Sequence, residues 1–392
     1  MLFTMMQKMY PVLDFSVKNG KLHSIEKIHN EARVPLNLVH QLTEEQLEKW
    51  LLKRSIPLHR PYYHELYKKL FRKNFWSLLA ETGGFNLSDQ YWFREDTSSL
   101  QWQENNYFTN DFSNDIGNYL TIHSDTKETI DYMSPDLFTN GNNPKTWRKK
   151  DGQLFLLKGS LTRKGYDCIN EKIIADYINA AQIPFLTCPA TILTSTKGQI
   201  FSCSTNFITP DIELVPAHYL MDYEKCSLET EPYDHLLAMC EKLHVPDVKA
   251  FLNSMLAIDS ILCQSDRHLG NFGFLRNVDT LEFIGPAPLY DNGSCLWYQN
   301  DMKDIGNSLL DANCKPFAFF HKQQNYFIES ADILQYFDMR LFKDILYQDA
   351  GNLMEKERIQ KMIKNVQSRE HDLEKTLKNK NKKKERELEL MR

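Results

Sequence analysis

The sequence predicts an α+β protein in two lobes, strand-rich on the amino-terminal side and mainly helical on the carboxyl-terminal side. Three observations lead there. Residues 10–42 alternate apolar and polar positions around an Asn19-Gly20 turn, and 154–158 and 185–208 add further strand-like runs. From Asp211 onward the composition turns helical, with the clearest periodicity over 232–244 and 247–263. The second of these helices is nearly apolar all round, which marks a core helix, and it runs straight into the polar loop Ser265-Asp266-Arg267-His268-Leu269-Gly270-Asn271.

Composition narrows the class. The chain has 392 residues, 42% of them hydrophobic and 25% charged, the balance of an ordinary globular protein long enough for two domains or lobes. A net charge of −5 gives no general case for nucleic-acid binding, and no direct contact with nucleic acid is expected. The eight cysteines are scattered without a CxxC pair, so neither a zinc site nor a disulfide framework is expected and a reducing, cytoplasmic location is. Met1–Met6 is apolar, but Lys8 and Asp14 follow too soon for a signal peptide or a membrane span. Delivery into a host cell by a specialised secretion system needs no such signal and stays open.

Taken in order, residues 1–129 read as an amino-terminal extension of the upper lobe. Thr43-Glu44-Glu45-Gln46 is a capping box before Leu47, Trp50 and Leu51 at helical spacing, and Ile56-Pro57 ends that helix. A second helix is expected from Tyr62 to Ala80, with Leu66, Leu70, Leu78 and Leu79 inward, ending at Gly83-Gly84. Residues 85–120 are crowded with aromatics, Asn and Asp. A packed loop is expected there, because a stacking platform for nucleic acid needs basic residues between the rings and this stretch is acidic.

Residues 130–207 carry the features of a nucleotide site. Ser134-Pro135-Asp136 leads into Thr139-Asn140-Gly141-Asn142-Asn143-Pro144-Lys145, a Gly-containing turn whose backbone N–H groups can approach phosphate, with Lys145 adding charge. It is not a Walker loop, having no Gly-Lys-Ser/Thr. Lys158 closes an apolar strand, where a cation is costly unless paired or phosphate-bound. Glu171, early in an expected helix over 171–181, is its candidate partner. Asn206-Phe207-Ile208 is the expected hinge, where a backbone edge receives adenine. Residues 208–377 form the helical lobe, with later helices at about 329–350 and 354–377, and 378–392 read as a frayed, charged tail.

The chemistry centres on Asp266, with Asn271 five positions on and Asp291 after a strand pair and a turn. This order resembles the catalytic loop and metal-binding loop of protein kinases, in which a carboxylate orients the acceptor hydroxyl while an Asn and a second Asp hold Mg²⁺ against the phosphates. More widely, the chain resembles the HipA-like serine/threonine kinase family. The matching residues are Gly141 to Lys145, Leu157-Lys158, Asn170-Glu171, Asp266-Arg267-His268 to Asn271-Phe272-Gly273, and Leu289-Tyr290-Asp291-Asn292-Gly293. Trp50 to Pro57, Asp89 to Trp92 and Asn206 to Pro210 also match, so the resemblance runs from about residue 30 to 375.

The resemblance implies a protein-kinase-like fold and a bacterial, ATP- and Mg²⁺-dependent kinase acting on a Ser or Thr hydroxyl of a protein. Asp266 would be the base and Asn271 and Asp291 the metal ligands. Lys158, fixed by Glu171, would hold the α/β-phosphates, and Gly141, Asn142 and Lys145 would cover the β/γ-phosphates. His268, by its own position in the loop, reads either as a structural hydrogen-bond partner or as a catalytic γ-phosphate contact. Some family members autophosphorylate a loop serine, and the best-known are toxins held by a DNA-binding antitoxin. Here Phe138 stands three residues before Gly141, leaving Thr139 or Ser134 as substitutes, and any antitoxin would be a separate partner. Two alternatives remain beside this reading: a phosphoinositide kinase-like enzyme, which shares the Asp-Arg-His to Asn order, and a nucleotide-binding pseudokinase.

Overall fold

The computed structural model describes residues 1–70, 74–122, 130–162, 164–306 and 312–390. They form an α+β chain that divides into two compact units. The first comprises Met1–Leu161, Cys203–Lys225 and Leu275–Ile284, the second Thr162–Ser202, Cys226–Phe274 and Gly285–Arg392. The sequence reading drew consecutive segments breaking at 130, 208 and 378. The units are instead interleaved, because local periodicity reports elements and not the long-range pairings that group them.

The first unit holds a four-stranded sheet in the order Lys21–Ile28, Tyr10–Lys18, Leu2–Gln7, Tyr91–Glu95. Asn19 and Gly20, both at positive φ (52° and 74°), make the tight turn that joins the first two of these. The apolar start of the chain is thus a central strand, with Phe3 opposite Phe15 and Met5 opposite both Leu13 and Phe93. On this sheet packs the helix Glu44–Lys53, capped by Thr43 Oγ1 accepting from the Gln46 N–H at 3.2 Å. The long helix expected over 62–80 is two helices, Tyr63–Leu70 and Phe75–Thr82. Residues 71–73 lie outside the described residues, and so does the side chain of Leu70. Asn74 starts the second helix by accepting from the Ser77 N–H at 2.9 Å.

The aromatic stretch 85–120 contains a strand and two short helices in place of one long loop. Its rings are core: Phe85, Trp92, Trp102, Tyr107 and Phe108 cluster with Trp147, each 7% exposed or less. Rings this deeply covered offer no stacking platform. Nearby, Ile212–Pro216 is a strand where the sequence suggested helix. It carries Glu213, buried and paired with Arg276 at 2.6 Å. Gln7 also donates to Glu213, and Arg33 donates to Gln7 and to the carbonyls of Val278 and Asp279. This network pulls residues 211–216 and 275–279 onto the amino-terminal sheet, a pairing of stretches some two hundred positions apart.

The second unit is mainly helical. Val248–Ile261 is the expected core helix, and the last helix lies along it, with Arg369 Nε donating to the Ser260 carbonyl at 2.6 Å. That last helix runs Lys356–Leu390. Residues 378–390, read as a frayed tail, continue it, although none of those described beyond Leu377 is buried. The helix expected from 171 begins at Tyr166, after Gly165 in the left-handed region (φ 74°), and puts Glu171 in its second turn. Among the described residues no helix is long and apolar enough to cross a membrane.

One buried acid in the first unit is a measurable feature of this packing. Asp136 accepts from the Trp147 N–H and the Thr146 hydroxyl, both at 2.8 Å, in space left by Gly117. Burial pushes its carboxyl up to about 6 against those two donors. Its folded value lies above its unfolded one, so the folded state holds the proton between about pH 4 and 6, and stability is lost as pH rises through that window. The unfolding free energy of the wild type minus that of Asp136→Asn should fall by roughly 2 kcal/mol from pH 4 to pH 6. Chemical denaturation at the two pH values measures it, and a flat or rising difference would place Asp136 as an ordinary ionised acid.

Candidate active site

In the second unit the core helix ends at Ile261, and the loop that follows is fixed by one side chain. Arg267, 1% exposed, forks onto Asp259 of the core helix, Nε to Oδ2 at 2.9 Å and Nη2 to Oδ1 at 3.0 Å. Its remaining hydrogens go to the Asn271 carbonyl (3.1 Å), the Tyr290 carbonyl (2.7 Å) and Asn292 Oδ1 (2.7 Å). A planar guanidinium with five donors is the side chain that can serve three segments at once. Burial opposes charge on Arg267, but the Asp259 carboxylate against it outweighs that and raises its pKa, so the guanidinium stays ionised. The sequence reading left Arg267 without a role. Its position behind a core helix that carries a buried Asp two turns earlier is the signal that could have found it.

Around this clamp the candidate catalytic residues take defined places. The Asp266 N–H donates to Gln264 Oε1 at 3.0 Å and the Asn271 side-chain Nδ2 donates to the Asp266 carbonyl at 2.9 Å. The Asn271 amide is therefore turned so that its Oδ1 is left for another partner. Asp291 sits at φ 58°, a conformation costly for a residue with a side chain. Arg267 on the Tyr290 carbonyl and Gln264 on the Asp291 carbonyl (3.3 Å) hold it there. His268 is exposed, and its Nδ1 accepts from the Gly270 N–H at 3.0 Å, which leaves Nε2 as the protonated nitrogen of the neutral ring.

Glu171 accepts from the Asn292 N–H at 3.0 Å with one oxygen and from the Gly293 N–H at 2.9 Å with the other. Only glycine fits at 293, since a Cβ would stand 2.6 Å from the Asp167 carbonyl oxygen. The sequence analysis expects Glu171 to partner Lys158, and nothing in the local sequence signals its part as anchor of the loop after Asp291. Also unforeseen is Lys315, whose Nζ donates to Asp266 Oδ1 at 2.7 Å. Both side chains are about half exposed, 52% and 42%, so the pair is weak. Nothing in the sequence near Lys315 signals this contact, because 49 positions separate the two residues.

The first unit holds the phosphate-loop candidates. Lys145–Lys150 and Gln153–Gly159 form an antiparallel hairpin, and Lys145 and Lys158 are opposite each other in its register. Gly141 lies at φ 101°, and a Cβ there would collide with Lys145 Nζ, so the ammonium lies against the turn. Asn142 is exposed. Thr139 and Ser134 are both buried. Thr139 Oγ1 donates to the Pro135 carbonyl and accepts from Trp147 Nε1, while Ser134 Oγ accepts from the Asp136 N–H. Either hydroxyl becomes a modification site only if this turn opens. At the expected hinge, the Asn206 N–H donates to the Leu154 carbonyl at 2.9 Å and the Ile208 N–H to Asn206 Oδ1 at 3.1 Å. Those two amides are therefore not available to an adenine edge.

For a metal, the Asn271 Oδ1 and the Asp291 carboxylate are hard oxygen donors of the kind Mg²⁺ takes. Mg²⁺ is held by one or two carboxylates with water and substrate phosphates completing its shell. A site of that type needs no larger cluster, and among the described residues there is no group of three or more His, Cys, Asp and Glu side chains placed to hold an ion alone.

No family model matches the sequence. Over 140 residues, 34% of this chain, it is 32% identical to the serine/threonine-protein kinase CtkA of Helicobacter pylori, and that stretch is 42% of the relative. The chain thus spans less than half the length of the curated relative it matches, and over that stretch it is related to a serine/threonine kinase. Among solved structures, the proinflammatory kinase CtkA of Helicobacter pylori aligns with 58% of this chain and 90% of its own, at 20% identity and a TM-score of 0.47. A GDP complex of aminoglycoside 2'-phosphotransferase-IIIa aligns with 59% of this chain and 91% of its own, at 10% identity and a TM-score of 0.22.

The clamp makes a direct prediction. Arg267→Met leaves the Asp259 carboxylate buried and unpaired, and should cost about 3–5 kcal/mol of unfolding free energy. Arg267→Met with Asp259→Leu should recover part of that loss. Urea denaturation of both variants measures it, and a single variant as stable as the wild type would remove the clamp from the structure's support.

Proposed function

We propose that this chain is a HipA-like serine/threonine protein kinase that transfers the γ-phosphoryl group of ATP to a protein hydroxyl with Mg²⁺. The observation that carries the reading is the Arg267 clamp. It ties the segment bearing Asp266 and Asn271 to the segment bearing Asp291, and it spends a buried ion pair to do so. The relationship to a serine/threonine kinase over 140 residues supports the same reaction class.

In this reading Lys145 and Lys158 take the phosphates, since their opposed positions across the hairpin suit a polyanion. Asp266 accepts a hydrogen bond from the acceptor hydroxyl once Lys315 has moved off its Oδ1. The hydroxyl oxygen forms the new bond to the γ-phosphorus as the bond to the ADP oxygen breaks, and the hydroxyl proton passes to Asp266. His268 Nε2 donates to the γ-phosphate. Asn271 and Asp291 would hold the Mg²⁺, which when bound neutralises phosphate charge. Lys315 masks the base while no acceptor is present, which limits idle reaction with water.

The test is incubation with Mg²⁺ and ATP followed by intact-mass analysis and phosphopeptide mapping, for the wild type, Asp266→Asn and Asp291→Ala. Phosphate on Ser or Thr is expected in the wild type. Asp266→Asn should bind ATP with little change and lose transfer by about 10²-fold or more, and Asp291→Ala should lose metal-dependent turnover while keeping its melting temperature. Full transfer by Asp266→Asn would sink the base assignment.

A further inference from the structure

The turn 139–142 rests on a buried cation that the roles above do not use. Arg60 follows the Ile56-Pro57 break and is 2% exposed. Its Nε donates to the Gly141 carbonyl at 3.0 Å and its Nη2 to the Thr139 carbonyl. Its Nη1 is buried with no partner, and no carboxylate pairs with it, among the described residues. Burial lowers its pKa to about 10, with Asp136 acting against that, so it stays charged at neutral pH. A buried guanidinium without a carboxylate is costly, and an anion close by would offset that cost.

The two carbonyls that Arg60 grips set the direction of two amides. Peptide groups are planar, and in the trans form the N–H points opposite to the C=O. The only cis bond among the described residues is Lys315-Pro316. With the Thr139 and Gly141 carbonyls both aimed at Arg60, the N–H groups of Asn140 and Asn142 both point away from it. Neither amide has a hydrogen-bond partner among the described residues, whereas the Gly141 N–H between them is taken by Asn140 Oδ1 at 2.6 Å. Asn140 and Asn142 are exposed, and the Lys145 ammonium lies against the same turn. Two unfilled amides that both point away from Arg60, with cations beside and beneath the turn, are groups that can take an anion.

We propose that Arg60 is a positioning residue, which fixes the 139–142 turn so that the Asn140 and Asn142 amides receive a phosphate of the nucleotide. This rests on the kinase reading above. Its effect is confined to the phosphates, so adenosine, which has none, does not feel it.

Calorimetry with Mg²⁺-ATP and with adenosine tests this on the wild type, Arg60→Lys and Arg60→Gln. Lysine keeps the charge and loses the two-pronged grip. Both variants should bind ATP at least ~10-fold more weakly and adenosine within ~2-fold of the wild type. An equal loss for both ligands, or no loss for either, overturns the assignment. If the variants do not fold, residue-resolved amide exchange on the wild type decides. ATP should slow exchange at Asn140 and Asn142 and adenosine should not. A wild type that binds ATP with both amides exchanging unchanged overturns this inference and leaves the kinase reading standing. A wild type that binds neither ligand overturns both.

Discussion

The buried pair of Arg267 and Asp259 is the interaction on which the second unit's candidate chemistry depends. Asp259 belongs to the core helix, which is buried along most of its length. Arg267 carries that rigidity outward by binding the carbonyls of Asn271 and Tyr290 and the side chain of Asn292. Buried ion pairs seldom add net stability, because desolvation offsets their attraction. What this one supplies is fixed geometry at three segments, which a group of apolar side chains could not give.

The same device recurs in the first unit with different partners. Arg33 and Arg276 meet Gln7 and Glu213 under the amino-terminal sheet, and Arg60 grips the turn 139–142 from below. Each arginine is buried, and each bonds at least one group distant from it in the chain. Backbone carbonyls are the partners in several cases. A cation that binds a carbonyl fixes the reverse side of the peptide as well, and that is how a buried residue orients amides facing solvent.

Much of the candidate site was legible because it is written in short spacings. Asp266, Asn271 and Asp291 stand in one loop and at the end of the following hairpin, and the core helix before them is visible from its apolar residues. The capping box at Thr43, the Asn19-Gly20 turn and the strand ending at Lys158 are local signals of the same kind. Where the reading failed, the deciding contact was a cap inside an apparent helix or a pairing with a distant strand. Residues 62–80 look like one helix until Asn74 caps a new one. Residues 85–120 look like a loop until Tyr91–Glu95 pairs with a strand from the start of the chain.

Sequence alone therefore determined the α+β class, the core helix, the acid and amide spacing of the loop, and the turn rich in Asn and Gly before Lys145. These follow from side-chain periodicity and from which residues tolerate which backbone conformations. Only the tertiary structure decided that Lys145 faces Lys158, that Lys315 covers Asp266, that Glu171 holds the loop after Asp291, and that Arg60 lies beneath the turn. Each of these joins residues from about a dozen to more than a hundred positions apart. The energy that brings them together comes from burial of the surrounding core, which carries no signature at the residues themselves.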